Sequence, residues 1–277
     1  MLLNIGCGAA AHPDWLNLDM VPLHPLAVAC DLRRGLPLAA NAADACYSAH
    51  VLEHLTRDEA DPFIAEQFRV LRPNGVIRVV VPDLEVMCRD YLDHLAALRA
   101  GATQRDFAYR FTLLEIFDQV VRDRSGGELI GVYRAARGAD VAHIRRRHGA
   151  EAEPFLSGAK AAGDVPTVRV RPAWARRLRR LRQRIASHML GIIGGAEMRQ
   201  ALATGLFRQS GEVHRVMYDE HAVAELLQRH GFADIRVVGP CESRIPGFAS
   251  FALDAPAADA PARKPDSLYV EAIKAAA

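Results

Sequence analysis

Three kinds of residue in this chain combine usable chemistry with informative spacing. Gly6-Cys7-Gly8 would let backbone pass close to a ligand, while Asp19 and Asp31, each closing a short apolar run, could accept hydrogen bonds from a ligand's hydroxyls or base. His50, His54 and His214 carry imidazoles able to take a proton from a hydroxyl near neutral pH. Together they suit a site that holds an adenosine-type ligand next to a polar acceptor. The glycine pair alone is a weak sign, because many strand-to-helix turns need glycine for geometry only.

These residues must be positioned by an open α/β sheet. Leu2 to Ile5 reads as a buried central strand, followed by Trp15 to Asp19, Ala27 to Cys30 and Asp44 to Ser48. Thr56-Arg57-Asp58-Glu59 has the form of a capping box, opening a helix with Ala60, Phe63, Ile64 and Leu71 on one face. Arg72-Pro73-Asn74-Gly75 ends it, and Val76 to Val81 is a β-branched fifth strand. Eleven positions, interrupted by Pro13, separate Gly8 from Asp19. A dinucleotide site places its acid about 20 residues on, across a helix whose positive end holds the pyrophosphate. The short spacing disfavours NAD and fits adenosine without phosphates.

Five signposts in order then carry a resemblance: Leu3-Asn4-Ile5-Gly6-Cys7-Gly8, Trp15-Leu16-Asn17-Leu18-Asp19, Asp31-Leu32, His50-Val51-Leu52-Glu53-His54 and Leu71-Arg72-Pro73-Asn74-Gly75. The chain resembles class I S-adenosylmethionine (SAM)-dependent methyltransferases of the type-11 group, especially bacterial members linked to glycan and cell-surface biosynthesis. The likeness covers residues 2–83 and resumes at about 210–275. It implies a Rossmann-like α/β fold: a mostly parallel sheet of seven strands with an antiparallel edge strand, divided into 1–83, a helical insertion at 84–210, and 211–277. It also implies SAM as cofactor. Asn4, Gly6, Cys7 and Gly8 would run beside its methionine half, Asp19 would take the ribose, Asp31 and the Leu32 backbone the adenine, and Ser48 and His50 would flank the sulfonium. His214, then His50 and His54, are the candidate bases. Asn4 stands where many relatives have an acid, and Ala10 where a third glycine is usual. Cys7 is read as a small loop residue with nothing nearby to make it a nucleophile.

The insertion has two parts. Helical patterns run through Leu84, Met87, Tyr91, Leu92, Leu95 and Leu98 and again over Gln104 to Val121, whereas 125–170 is weakly patterned. Arg169 to Ser187 is arginine-rich, with Trp174, Leu178, Leu181 and Ile185 on one helical face. That face could pack on the domain, leaving a solvated arginine side, or could dock on an anionic membrane surface. RNA is the weaker option, since no aromatic interleaving accompanies the arginines. Beyond it, Asp219 should cap a helix bearing Val223, Leu226 and Leu227, with Gly231 just past its end. Strands over Ile235 to Val238 and Leu268 to Ile273 close the sheet, and Asp254 to Pro261 reads as an exposed loop. Glu242-Ser243-Arg244 could bind a polar acceptor.

Bulk properties narrow the class. The 277 residues are half hydrophobic with a formal charge of +2, enough for a sizeable core and without a whole-chain bias toward nucleic acid. Five scattered cysteines without a C-x-x-C pair predict a reduced, cytoplasmic protein with neither disulfides nor a cysteine-based zinc site, and no metal is expected. No leader-like segment or bilayer-spanning run is read. The expectation is an enzyme moving a methyl group from SAM to a polar acceptor, most simply a sugar or glycolipid hydroxyl, peripheral to the inner membrane face at most. The rival readings are a non-catalytic SAM-binding scaffold in a surface-polymer complex and a membrane- or RNA-binding protein acting through the arginine helix.

Overall fold

Seven strands form one sheet in the computed structural model, which describes residues 1–158, 173–257 and 260–276. They are β1 (Leu2–Ile5), β2 (Trp15–Asp19), β3 (Ala27–Ala29), β4 (Ala43–Ala49), β5 (Leu71–Pro82), β6 (Phe232–Val237) and β7 (Ser267–Lys274), in the order β3-β2-β1-β4-β5-β7-β6. β1 to β5 pair in parallel, and β7 runs antiparallel to both β5 and β6. The Rossmann-like class I methyltransferase sheet expected from the sequence is therefore present. Its antiparallel strand is β7, one place in from the edge, and β6 forms the edge itself.

Strand alternation divides the core between two faces. Leu3, Ile5, Leu18, Cys46, Ile77 and Val79 point to the face covered by α1 (Arg57–Val70), and the late helix over Glu220–Arg229 adds Val223, Leu226 and Leu227 there. The Thr56–Glu59 capping box that opens α1 is formed in both directions. α1 ends at Val70, just ahead of Arg72 to Gly75 as read from the sequence, but the strand already begins at Leu71 rather than at Val76. Ala43 pairs with Leu71 and Ala45 with Val76, so the four residues bulge out of a continuous β5.

The opposite face carries Trp15, Ala45, Tyr47, Val76, Val80 and Tyr269. No helix follows β1 or β2 to cover it; the β6–β7 connection lies across it instead, burying Ile245, Phe248 and Leu253. Leu253, Asp254 and Ala255 are buried, which corrects the exposed reading of 254–261 at its first two residues; Pro256, Ala257 and Pro261 are exposed as read, and Ala258 and Asp259 lie outside the described residues. The anchor is Arg78, fully buried in mid-β5. Its guanidinium donates to Asp254 and Glu271 at 2.8 Å each and to the carbonyls of Gly239, Pro240 and Glu242. Ser243 bonds Glu271, and Arg244 pairs with Asp234 at 2.9 Å. Glu242-Ser243-Arg244 thus pins the connection and does not reach the site as an acceptor contact.

The insertion begins as a helical cap: α2 (Leu84–Arg99), α3 (Asp106–Val121), α4 (Leu129–Ala135), α5 (Ala139–His148) and α6 (Glu153–Leu156). It has its own core of Phe111, Leu129, Ile130, Tyr133, Ile144 and Ala152. The weakly patterned part of 125–170 thus contains three short helices up to Leu156, while 159–172 lie outside the described residues. Then come α7 (Ala173–Arg208), kinked at Gly194 and Gly195, and α8 (Glu220–Arg229), capped by Asp219 as expected.

On α7 the structure departs from the packed reading. Leu178, Leu181 and Ile185 are 40%, 53% and 50% exposed, and Met189, Ile192 and Ile193 continue the exposed apolar side. Arg177, Arg182 and Arg184 are exposed as well. Arg169 and Arg171 lie outside the described residues, as do the side chains of Trp174, Arg176, Arg179 and Arg180.

Candidate active site

Two cavities open side by side at the carboxyl ends of β1, β4 and β5, where ligands sit in open α/β sheets. The first, about 310 Å³, is lined by Asn4, Gly6, Cys7, Gly8, Ala49 and Val80 from the sheet end and by Leu253, Asp254 and Arg263 from the β6–β7 connection. The second, about 230 Å³, lies between the sheet end and the cap; Glu53, His54 and His214 meet Leu114, Glu115, Tyr133 and His148 there. His50, Glu151 and Lys264 belong to the walls of both.

The glycine loop is shaped by backbone chemistry. Gly6 has φ +76°, and a Cβ there would lie 2.2 Å from the Val51 side chain, so no larger residue fits. Gly8 has φ +51° and borders the cavity, with nothing within 4 Å of where its Cβ would be. The Asp19 carboxylate accepts from the Gly8 amide at 2.8 Å and from the Val21 amide at 2.7 Å, tying the end of β2 to the loop. Asn4 donates to the Ala10 carbonyl at 2.8 Å and to the Asn17 side chain at 3.0 Å. It holds the loop, a task an acid could not perform as donor. Burial, reinforced by the Asp19 charge, pushes the Cys7 thiol up to about 12, so it stays protonated and is no nucleophile.

The remaining residues expected around a cofactor are placed differently. Ser48 projects to the α1 face, opposite Tyr47 and Ala49; it is buried, its hydroxyl has no partner, and it lines neither cavity. Asp31 caps a short 3-10 turn and pairs with Arg33 at 3.0 Å; the hydrogen bond from Arg33 is the chief reason its carboxyl lies below the usual range. Leu32 is a core residue. Neither Asp31 nor Leu32 lines the cavity beside the glycine loop.

His50 sits where the cavities meet. Just past β4, it holds φ +54°, a strained conformation for a residue other than glycine and one that recurs at functional sites. Its Nδ1 is 3.0 Å from Glu53 Oε1 and its Nε2 3.0 Å from the Ser267 hydroxyl. An ionised Glu53 can only accept, so a neutral His50 ring carries its proton on Nδ1 and presents the Nε2 lone pair to Ser267. Glu53 is fully buried. Desolvation raises its carboxyl, but the hydrogen bond and charge of His50 lead the opposing effects and leave it lowered to about 2.

His54 donates Nδ1–H to the Val213 carbonyl at 3.2 Å, and its ring meets that of His214 edge-on at 4.8 Å. Burial holds both rings below the ordinary imidazole value, His214 at about 3. A ring that resists a proton this strongly is a poor general base. His50, in contrast, borders both cavities. Glu53, Ser267, Glu151 and Lys264 were not singled out from sequence; only Glu53, inside the His50–His54 signpost, carried a signal.

Residues 3–79, spanning β1 to most of β5, match the family profile described as a methyltransferase domain. No curated protein matches the sequence. Among solved structures, a SAM-dependent methyltransferase from Mesorhizobium loti is 14% identical with a TM-score of 0.37, over 98% of this chain and 90% of that one. A SAM-dependent methyltransferase from Thermotoga maritima is 8% identical at 0.33, over 90% and 63%. PKMT2 from Rickettsia typhi in complex with AdoHcy is 13% identical at 0.34, over 98% and 48%.

Proposed function

We propose that this SAM-dependent methyltransferase transfers the methyl group to a hydroxyl, and that the hydroxyl enters beneath the helical cap. The carrying observation is the pair of adjoining cavities that share His50, Glu151 and Lys264. One is built by the glycine loop and the other by the cap, so two ligands can meet at one histidine. The cavity beside Gly6 and Gly8 fits the cofactor: its backbone is bare, and its volume lies at the lower end of ligand pockets, roughly 300–1,000 Å³. Asn4, Gly6, Cys7 and Gly8 would hold SAM there, with Asp19 outside the cavity lining and bonded to the Gly8 amide; SAM supplies an electrophilic methyl on a sulfonium.

The chain's own task is alignment and removal of one proton. His50 Nε2 takes the proton of the acceptor hydroxyl, which replaces Ser267 as its partner. Glu53, hydrogen-bonded to Nδ1, fixes the tautomer and stabilises the imidazolium. Glu115, Glu151, Lys264 and Tyr133 give the acceptor cavity a polar lining with both charge signs, which suits a polyhydroxylated ligand such as a sugar. The exposed apolar side of α7, with arginines beside it, supports an acceptor presented at an anionic membrane surface, as a glycolipid would be. Among the described residues, no helix is long and apolar enough to cross a membrane.

The test is calorimetric titration of SAM into the full chain, followed by mass spectrometry for a 14-dalton gain on sugars and glycolipids. SAM binding and methyl gain on a hydroxyl, both present in wild type and the second lost in His50→Gln, support the reading. No binding at millimolar SAM, or a methyl gain on nitrogen only, overturns it.

A further inference from the structure

Glu53, His54 and His214 bring one carboxylate and two imidazoles together in the wall of the acceptor cavity. One ligand atom from each lies within 4.8 Å of the other two. Glu53 is 0% and His214 4% exposed, yet Glu53 Oε2 and His214 Nδ1 have no hydrogen-bond partner among the described residues. A buried polar atom left unpaired costs about 1–3 kcal/mol, and two in one cluster imply something that satisfies both.

His54 adds a second indication. The Val213 carbonyl can only accept, so His54 Nδ1 carries the proton and Nε2 keeps its lone pair. Holding the distal N–H on a backbone carbonyl is how ligating histidines are commonly oriented. Charge adds a third. Among the described residues, the sole ion-pair partner of buried Glu53 is His50, bound to Oε1; no lysine or arginine compensates Oε2.

We propose that Glu53, His54 and His214 bind one divalent first-row transition-metal ion. Two imidazoles and a carboxylate favour such an ion over magnesium or calcium, which take all-oxygen sets. Bonds of about 2.0–2.2 Å at tetrahedral angles put the donors of one ion roughly 3.3–3.6 Å apart, so a pair at the 4.8 Å limit closes by about an ångström on binding. The neighbouring group Glu115, His148 and Asp266 has the same donor types, and Glu115 Oε2 and Asp266 Oδ1 are likewise unpaired among the described residues, but its charge is already compensated by Arg147. Arg147 donates to Glu115 Oε1 at 2.9 Å, His148 Nε2 is 3.0 Å from the same oxygen, and Tyr133 bonds His148 Nδ1.

The ion's role rests on the proposed hydroxyl chemistry: facing the acceptor cavity, it would make a hydroxyl bound there more acidic and ease proton transfer to His50. Binding itself does not depend on that reading. The full chain is stripped with a chelator and titrated with Co²⁺, followed by visible absorption and by displacement with Zn²⁺. One ion per chain is expected, with His214→Gln and His54→Gln each weakening binding by about a hundredfold or more, and His148→Gln leaving it within about twofold.

Glu53→Gln also removes the partner of His50, so circular dichroism first establishes that it folds; the two histidine variants keep the test decisive if it does not. Absence of saturable Co²⁺ binding, binding unchanged in His214→Gln, or loss in His148→Gln would each overturn the site. SAM is titrated into the same stripped chain. SAM binding without Co²⁺ binding removes the metal alone, whereas Co²⁺ binding without SAM binding removes the functional reading and leaves the site.

Discussion

Replacing Arg78 with methionine tests whether the β6–β7 connection is held on the sheet by one buried cation. The side chain lies at 0% exposure between Asp254 and Glu271, and it also donates to three carbonyls of the connection. Methionine keeps much of the volume and removes every one of these bonds. Breaking a buried pair by removing one partner costs about 3–5 kcal/mol, because the remaining charge is left uncompensated. Two carboxylates remain here, so the upper half of that range is expected. For a domain of this size that lowers Tm by roughly 7–9 °C.

The residual charge gives the effect a pH signature. Burial already raises the Asp254 carboxyl above its ordinary value, with Arg78 opposing the rise. Without Arg78 the folded-state value climbs further. A folded-state value above the unfolded one means that the folded protein binds the proton more tightly, so stability is lost as pH rises from about 4 through the folded value and recovered on acidification. The deficit of Arg78→Met relative to wild type should therefore be smaller at pH 5 than at pH 8, measured by urea unfolding at each pH. Because Leu253, Asp254 and Arg263 also wall the cavity beside the glycine loop, SAM affinity should fall in parallel. A deficit below about 1 kcal/mol, or one independent of pH, would refute the argument that Arg78 is the anchor.

Gly6→Ala should cost at least about 1–2 kcal/mol from its left-handed backbone alone, and more from the 2.2 Å approach to Val51; thermal melting and SAM titration should both register it. Asp19→Ala frees the Gly8 and Val21 amides and should weaken SAM binding by at least tenfold with little change in Tm; unchanged affinity would separate the end of β2 from the cofactor. Burial depresses His94 and His143 in the cap below the ordinary imidazole value. The unfolded chain then binds protons that the folded cap refuses, so stability is full above about pH 6.5 and declines below it, by at most about 1.4 kcal/mol per pH unit for each ring; His143→Phe should flatten that slope in acid unfolding curves. Ile185→Asp on α7 should leave Tm within about 1 °C, since the side chain is half exposed, yet reduce flotation with anionic vesicles; equal flotation of both proteins would remove the membrane role.

Local signals carried much of the fold into the sequence. The first five strands, the Thr56 capping box and the Asp219 cap follow from alternation and capping chemistry that act within a few residues. The face opposite α1 was illegible for the same reason. Its cover is an irregular segment whose composition reads as loop, and what holds it is a charge on β5, more than 160 residues away in sequence. Arg78 interrupts an apolar run and looks there like an exposed position. The site shows the same division: Gly6 and Gly8 were legible because backbone geometry demands them, while the face to which Ser48 points depends on strand register, which local signals do not carry.

The helices absent after β1 and β2 connect these observations. A sheet that loses them must cover its open face by other means, and here the same connection that does so also lines the cavity beside the glycine loop through Leu253, Asp254 and Arg263. Lys264, next in the chain, reaches the cavity under the cap and pairs with Glu151 of the cap at 2.9 Å. Ser267, three residues on, meets His50. One stretch from Leu253 to Ser267 therefore touches the sheet, the glycine-loop cavity, the cap and the central histidine. Its position depends on Arg78, so a buried ion pair with no place in the chemistry sets the geometry in which His50 and its two cavities meet.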